Sequence, residues 1–174
     1  MAEFKPAITA TLQNEGYPGY NIDNNGAEVC SGINRKFWPG WAGWVIVDGY
    51  KAQGIDRHGI NVELGKDPRL RTLVESFYQR NFWTPYIQQI VSQDVANWVF
   101  DKGVQAGIGQ ATRLLQRAAG VQDDGKFGPN TLTAVNSADP QGLLISAHKQ
   151  AVAFYQELHQ KDPVKYPAGM VNRA

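Results

Sequence analysis

The chain has 174 residues, enough for one domain or one domain with a small appendix, since a single core organises ~100–200 residues. With 43% hydrophobic and 19% charged residues it can fill a core, which argues against a disordered tail. Seventeen basic against sixteen acidic residues leave a net charge of +1 without a basic stripe, so nucleic acid is not expected as a partner.

In chain order, Phe4, Ile8 and Leu12 recur every four residues and predict an amphipathic helix running to about Glu15 and stopped by Gly16. Residues 17–31 are rich in Gly, Pro, Asn and Asp and read as a long surface loop. Residues 41–53 suit either a helix or a pair of strands, because Val45-Ile46-Val47 is β-branched while Gly43 and Gly49 weaken both. Asp67-Pro68 opens a helix carrying Leu70, Leu73, Val74 and Phe77. Thr84-Pro85 opens another at Tyr86 and Ile87, and Ser92 caps a third with Val95, Trp98 and Val99. Glycines at 103, 107 and 109 interrupt the run and mark the best boundary. Ala111, Leu114, Leu115 and Ala118 then resume it until Gly120. Asp123-Asp124-Gly125 is a turn, Pro129 to Val135 a short helix, and Asp139-Pro140 the start of a long one with Leu143, Ala147, Ala151, Phe154 and Leu158 on one face. The fold class is mainly α, with about seven helices.

Eighteen glycines and five tryptophans are many for this length, and three of the tryptophans fall between Trp38 and Trp44. Those three suit either a loop packed on the core or an exposed stacking platform. No stretch approaches the ~20 apolar residues needed to cross a bilayer. The opening Met1-Ala2-Glu3-Phe4-Lys5-Pro6 lacks a basic stretch followed by a long apolar run, so a Sec signal is not expected. Cys30, the single cysteine, reads as a buried thiol. His58, His148 and His159 share no ligand spacing with it or with one another, so no metal site and no cofactor is expected. Gly107-Ile108-Gly109 lacks the third glycine of a dinucleotide fingerprint.

Glu15 continues the apolar stripe into the last helical turn, where carbonyl groups gather. Negative potential and partial burial there both raise a carboxyl pKa, which is what a general acid for glycosidic oxygen requires. The alternative is a frayed glutamate at a helix end.

From Glu15 to Ile33 the residues resemble a family pattern that runs E-G-G-Y, D-P-G-G-x-T and G-I. Glu15-Gly16-Tyr17 stands at its start, Asn24-Asn25-Gly26-Ala27 in place of D-P-G-G, and Gly32-Ile33 at its end. Phe82-Trp83 with Tyr86 is similar to its F-W-x-x-Y block, and Phe100-Asp101 through Gly107 to F-D-x-x-V-N-x-G, with Gln105 for asparagine. Leu115-Gln116 to Gly120, Asp124-Gly125 to Gly128-Pro129 and Thr131 to Val135 resemble the signature of peptidoglycan-binding modules. Phe154-Tyr155 and the closing Gly169-Met170 with Arg173 are similar to its F-Y and G-W-x-x-R ending. These motifs belong to the N-acetylmuramidases of glycoside hydrolase family 108, also called secretion activator proteins. Tyr17, Asn24 and Val29 depart from the pattern.

The resemblance implies a lysozyme-like helical hydrolase fold with a helical peptidoglycan-binding part: a muramidase domain over 1–100 and a binding region over 101–174, packed as one unit. It implies cleavage of the β-1,4 bond between N-acetylmuramic acid and N-acetylglucosamine, with Glu15 as general acid and Asp23 or Glu28 as the assisting carboxylate. Sugar rings stack on aromatic faces and bond to amides, which makes Tyr17, Tyr20, Asn21, Trp83, Tyr86 and Gln105 candidate substrate contacts. Asp101, in the F-D block, is a further one. For Trp83, Trp98 and Phe100, helical spacing also suits a place in the core. Peptidoglycan glycan strands are the expected partner, with a holin, a secretion apparatus or an immunity protein as further candidates. The chain is expected to be made in the bacterial cytoplasm and to act on the wall after non-Sec export or lysis. Two alternatives stand beside hydrolysis: a catalytically impaired wall-binding or export accessory protein of the same fold, motivated by the three departures, and a lytic transglycosylase.

Overall fold

The computed structural model describes residues 1–14, 16–164, 166, 168 and 169. Two compact units are present, Ile8–Asn81 and a second made of Met1–Ala7 with the chain from Phe82 onward. Nine helices and one small sheet lie within the described residues, so the class is mainly α, consistent with the lysozyme-like hydrolase fold expected.

In the unit Ile8–Asn81, most of α1 (Phe4–Asn14) is followed by β1 (Asn21–Ile22), β2 (Glu28–Cys30) and β3 (Ile33–Asn34), an antiparallel sheet in that order. Its register pairs Asn21 with Val29, Ile22 with Glu28 and Cys30 with Ile33. The segment read as loop therefore carries two hairpins. Strands of two or three residues are too short to show alternation, and their pairing comes from the turns. In the second turn Ser31 and Gly32 both take positive φ, 51° and 77°, the geometry a two-residue hairpin loop requires and the reason for glycine there.

The undecided stretch is a helix, α2 (Gly43–Lys51). Val45 is 76% exposed while Trp44 and Val47 are buried, a separation of three that a strand cannot give. An unforeseen helix, α3 (Arg57–Lys66), follows, buried only at Ile60 and Leu64 and capped by Asp56, whose carboxylate accepts from the Gly59 N–H at 2.8 Å. Two glycines and a narrow apolar face hid it. Then α4 (Pro68–Phe82) buries Leu70, Val74, Phe77 and Tyr78 as the periodicity requires. The Tyr78 hydroxyl donates to the Ser31 carbonyl at 2.7 Å and joins the hairpin to this helix.

The second unit holds α5 (Pro85–Gln88), α6 (Gln93–Ala106), α7 (Ile108–Ala118), α8 (Pro129–Ser137) and α9 (Pro140–Lys161). The caps read from sequence are present: Thr84, Ser92 and Asp139 accept from the N–H groups of Ile87, Val95 and Gly142. Helices α6, α7 and α9 pack together around Val95, Val99, Leu114, Leu115, Leu143 and Ala147. Each fully buried leucine contributes roughly 1.5–3 kcal/mol by leaving water.

Candidate functional site

Glu15 lies outside the described residues, as do Met170 and Arg173 of the closing motif. Gly16 takes φ +69°, its N–H donates to the Gln13 carbonyl at 3.3 Å, and the Tyr17 N–H donates to the Leu12 carbonyl at 3.1 Å. These paired bonds close a helix through a left-handed glycine. Tyr17 is half-buried beneath the Arg71 guanidinium, 5.1 Å from its ring centre, and its buried hydroxyl has no hydrogen-bond partner among the described residues.

The first hairpin carries two carboxylates of different character. Asp23 Oδ1 accepts from the N–H groups of Asn25 at 2.8 Å and Ala27 at 2.9 Å, and Oδ2 accepts from Asn34 Nδ2 at 2.9 Å. The Ala27 N–H foremost, then those from Asn25 and Asn34, hold its carboxyl below the ordinary value despite some desolvation. Every hydrogen-bond donor to Asp23 is neutral; Lys36 adds a weaker electrostatic pull but makes no ion pair with it among the described residues, so its charge is oriented without being tied into a salt bridge.

Glu28 is 17% exposed and sits among cations. Its Oε1 accepts from Tyr20 Oη and Lys51 Nζ, both at 2.6 Å, and Oε2 accepts from Arg35 at 2.8 Å. Burial pushes this carboxyl up, but the bonds from Lys51, Tyr20 and Arg35 together outweigh it and hold the pKa down. Arg35 also makes a two-pronged pair with Asp48, 2.7 Å on each arm, which pins its plane. Neither Asp23 nor Glu28 holds a proton at neutral pH, so neither is a ready general acid.

Of the candidate substrate residues in this unit, Tyr20 is buried and held from both sides. Besides its bond to Glu28, its backbone N–H and carbonyl pair with the Asn61 amide at 2.8 and 2.9 Å. Burial, then the Glu28 contact, pushes the Tyr20 hydroxyl pKa up. Asn21 is exposed on β1. Cys30 is fully buried, and burial pushes its thiol up to about 11, as an unreactive core cysteine. The tryptophan cluster divides: Trp44 is core, with its indole N–H donated to the Trp38 carbonyl at 2.8 Å, Trp41 packs edge-on against it, and Trp38 is 43% exposed against Phe77.

In the second unit, half-buried Trp83 meets Phe4 and Phe100 edge-to-face at 5.6 and 5.7 Å. Tyr86 stacks on Phe127 at 5.8 Å. Asp101 Oδ2 accepts from Gln105 Nε2 at 2.7 Å, and Gln105 Oε1 accepts from Tyr155 Oη at 3.4 Å and Lys102 Nζ at 3.3 Å. Lys102, 3% exposed, went unnoticed in the sequence. It falls on the α6 stripe of Val95 and Val99, and a lysine in an apolar stripe was the available signal.

The other polar centre of this unit is Gln116. Buried at the end of α7, its Nε2 donates to Asp124 Oδ1 at 2.8 Å, Thr131 Oγ1 at 3.0 Å and the Lys126 carbonyl at 3.2 Å, while Oε1 accepts from the Gly125 N–H at 2.9 Å. One amide thus ties the 124–131 loop to its helix. The spacing from Gln116 through Asp124-Gly125 to Thr131, read as a binding signature, is in physical terms a loop clamp. No cluster of three or more His, Cys, Asp or Glu able to hold a metal is found among the described residues.

The family model described as Glycosyl hydrolase 108 matches residues 8–107, and the one described as Predicted Peptidoglycan domain matches residues 110–174. Among solved structures the chain is similar to SagA of Brucella abortus, with 20% identity, a TM-score of 0.64, and 98% of this chain and 90% of that chain covered. At that identity the likeness concerns the fold. No curated protein matches the sequence.

Proposed function

The chain belongs to the glycosyl hydrolase 108 family, and from that premise we propose that it is an N-acetylmuramidase acting at the cell wall, with Glu15 as general acid and Asp23 as the assisting carboxylate. Its C-terminal part is a predicted peptidoglycan domain, and no helix among the described residues is long and apolar enough to cross a membrane. Glu15, Asp23 and Glu28 all fall inside the stretch matched to the hydrolase family.

The observation that carries the choice of Asp23 is the nature of its hydrogen-bond donors. An oxocarbenium-like transition state gains from a negative charge held still and not locked into a salt bridge. Asp23 is held by two backbone N–H groups and an asparagine amide, whereas Glu28 is neutralised by Arg35 and Lys51. Glu28 is therefore the carboxylate that shapes the hairpin, and Asp23 the one that faces chemistry. The family's aspartate is absent at Asn24, and Asp23 supplies a carboxylate one position earlier. In this reading Glu15 delivers its proton to the glycosidic oxygen as the bond to the muramic acid anomeric carbon breaks. Asp23 stabilises the cation, and water adds its oxygen to the anomeric carbon while a proton from it returns to Glu15.

The test is digestion of purified peptidoglycan with mass analysis of the fragments. Reducing muramic acid ends are expected; 1,6-anhydro ends would make the protein a transglycosylase, and binding without fragments an accessory protein. Glu15→Gln should lower turnover by about 10²–10⁴-fold with binding retained, because it keeps shape and removes the transferable proton. Asp23→Asn should cost about a hundredfold in kcat. Activity unchanged in either variant overturns that residue's role.

A further inference from the structure

Trp38, Trp41 and Trp44 take no part in the chemistry proposed above, yet their hydrogen bonds lead toward Asp23. Trp44 is 2% exposed, and its indole N–H donates to the Trp38 carbonyl at 2.8 Å. Its place is set by Trp41, whose ring meets it edge-on at 5.2 Å and lies so close to Gly43 that a Cβ there would come within 2.2 Å of it. The Trp38 N–H in turn donates to the Asn34 carbonyl at 3.0 Å, as does that of Phe37 at 3.1 Å. Asn34 ends β3, where it lies opposite Val29 of β2. Its side chain is oriented as well. Oδ1 accepts from the Lys36 N–H at 2.9 Å, so Nδ2 is the end turned to Asp23, whose Oδ2 it reaches at 2.9 Å. A flipped amide would set an oxygen against a carboxylate and lose both bonds.

The three donors to Asp23 are not equivalent. The N–H groups of Asn25 and Ala27 belong to its own turn and move with it. Asn34 lies 11 residues on, across the sheet beyond β2, and is the donor that ties the carboxylate to the rest of the unit. Without it the carboxylate is fixed only within a turn whose Asn24, Asn25 and Gly26 are exposed and whose strands pair over two residues. A charge that stabilises a developing cation has to hold its place, since a misplacement of about 1 Å can cost about a hundredfold in rate. We propose that Asn34 is a positioning residue for hydrolysis: it aims the Asp23 carboxylate, and the bonds through Trp38 to buried Trp44 anchor it. As a neutral amide it orients that charge without forming a salt bridge. The inference rests on the reading of Asp23 as the assisting carboxylate.

Two substitutions in the full chain test it, with kcat and KM measured across pH on soluble glycan fragments of peptidoglycan. Asn34→Ala removes both ends of the amide. Asn34→Asp keeps the acceptor for the Lys36 N–H and removes only the donor, so it serves if the first variant melts early. Each should lower kcat about tenfold with KM within about twofold of the wild type. Each should also move the acid limb of the kcat profile to higher pH, since a donor that holds the Asp23 carboxyl down is gone, while the pull of Lys36 remains in both. Asn34→Asp should move it further, because a second carboxylate then faces the first. In an Asp23→Asn background, adding Asn34→Ala should cost little more, which a purely structural role for Asn34 would not produce. The inference is overturned if kcat and the acid limb stay as in the wild type, if KM alone changes, or if the full loss persists in the Asp23→Asn background. A wild type without turnover, or an Asp23→Asn variant as active as the wild type, sinks the wider reading. An impaired Asp23→Asn beside an unaffected Asn34→Ala sinks only this inference.

Discussion

In the unit Ile8–Asn81 the polar network turns on a carboxylate, Glu28, which gathers Tyr20, Arg35 and Lys51. In the other unit it turns on a neutral amide, Gln116, which gathers Asp124, Gly125, Lys126 and Thr131. Both hold a segment outside the helices, one the hairpin and the other the loop before α8. They differ in what disturbs them. A carboxylate among cations responds to pH and salt, while the amide itself does not titrate, its one ionisable partner Asp124 has a lowered pKa and stays charged except in acid, and its four partners lose their bond together.

The largest stability effect should come from Gln116→Ala, which leaves buried donors and acceptors unmatched and should cost about 3 kcal/mol in urea unfolding. That loss should be flat from about pH 5 to 8, because an amide does not titrate. Glu28→Gln comes next, at about 1–2 kcal/mol near neutral pH, discounted because Arg35 and Lys51 are partly exposed. If the Glu28 variant costs more than the Gln116 variant, the ranking of the two centres is wrong.

A pH series sharpens the contrast. The Glu28 carboxyl has a lowered pKa in the fold, so its contribution is complete above the unfolded-state value and is lost as pH falls from there through the folded value. The difference between wild type and Glu28→Gln should therefore shrink on acidification, and a difference that stays constant would show that the charge is not what stabilises the hairpin. The smallest effect is salt. Raising ionic strength to about 0.5 M should reduce the Glu28→Gln cost by a few tenths of a kcal/mol and leave the Gln116→Ala cost unchanged.

The mainly helical class and most helix starts were legible because they depend on neighbours in sequence. Thr84, Ser92 and Asp139 each cap within three residues, and the stripes on α4, α6 and α9 repeat over several turns. The sheet was not legible, because its strands are two or three residues long. Nor was α3, whose buried face is two residues wide. At the candidate site, Asp23 and Glu28 could be named as carboxylates, but nothing local separates them. Arg35 and Lys51 reach Glu28 from 7 and 23 positions away. The same holds for Gln116, whose partners lie 8 to 15 residues on.

The sequence by itself determined the helical class, the family, and the residue types available for glycan chemistry, since periodicity, capping and motif spacing are properties of a one-dimensional pattern. Only the tertiary structure decided which carboxylate is held by neutral donors and which is locked among cations, which of Trp38, Trp41 and Trp44 enters the core, and that Gln116 clamps the loop before α8. Those outcomes depend on which groups meet across the fold, and on how much water remains around them when they do.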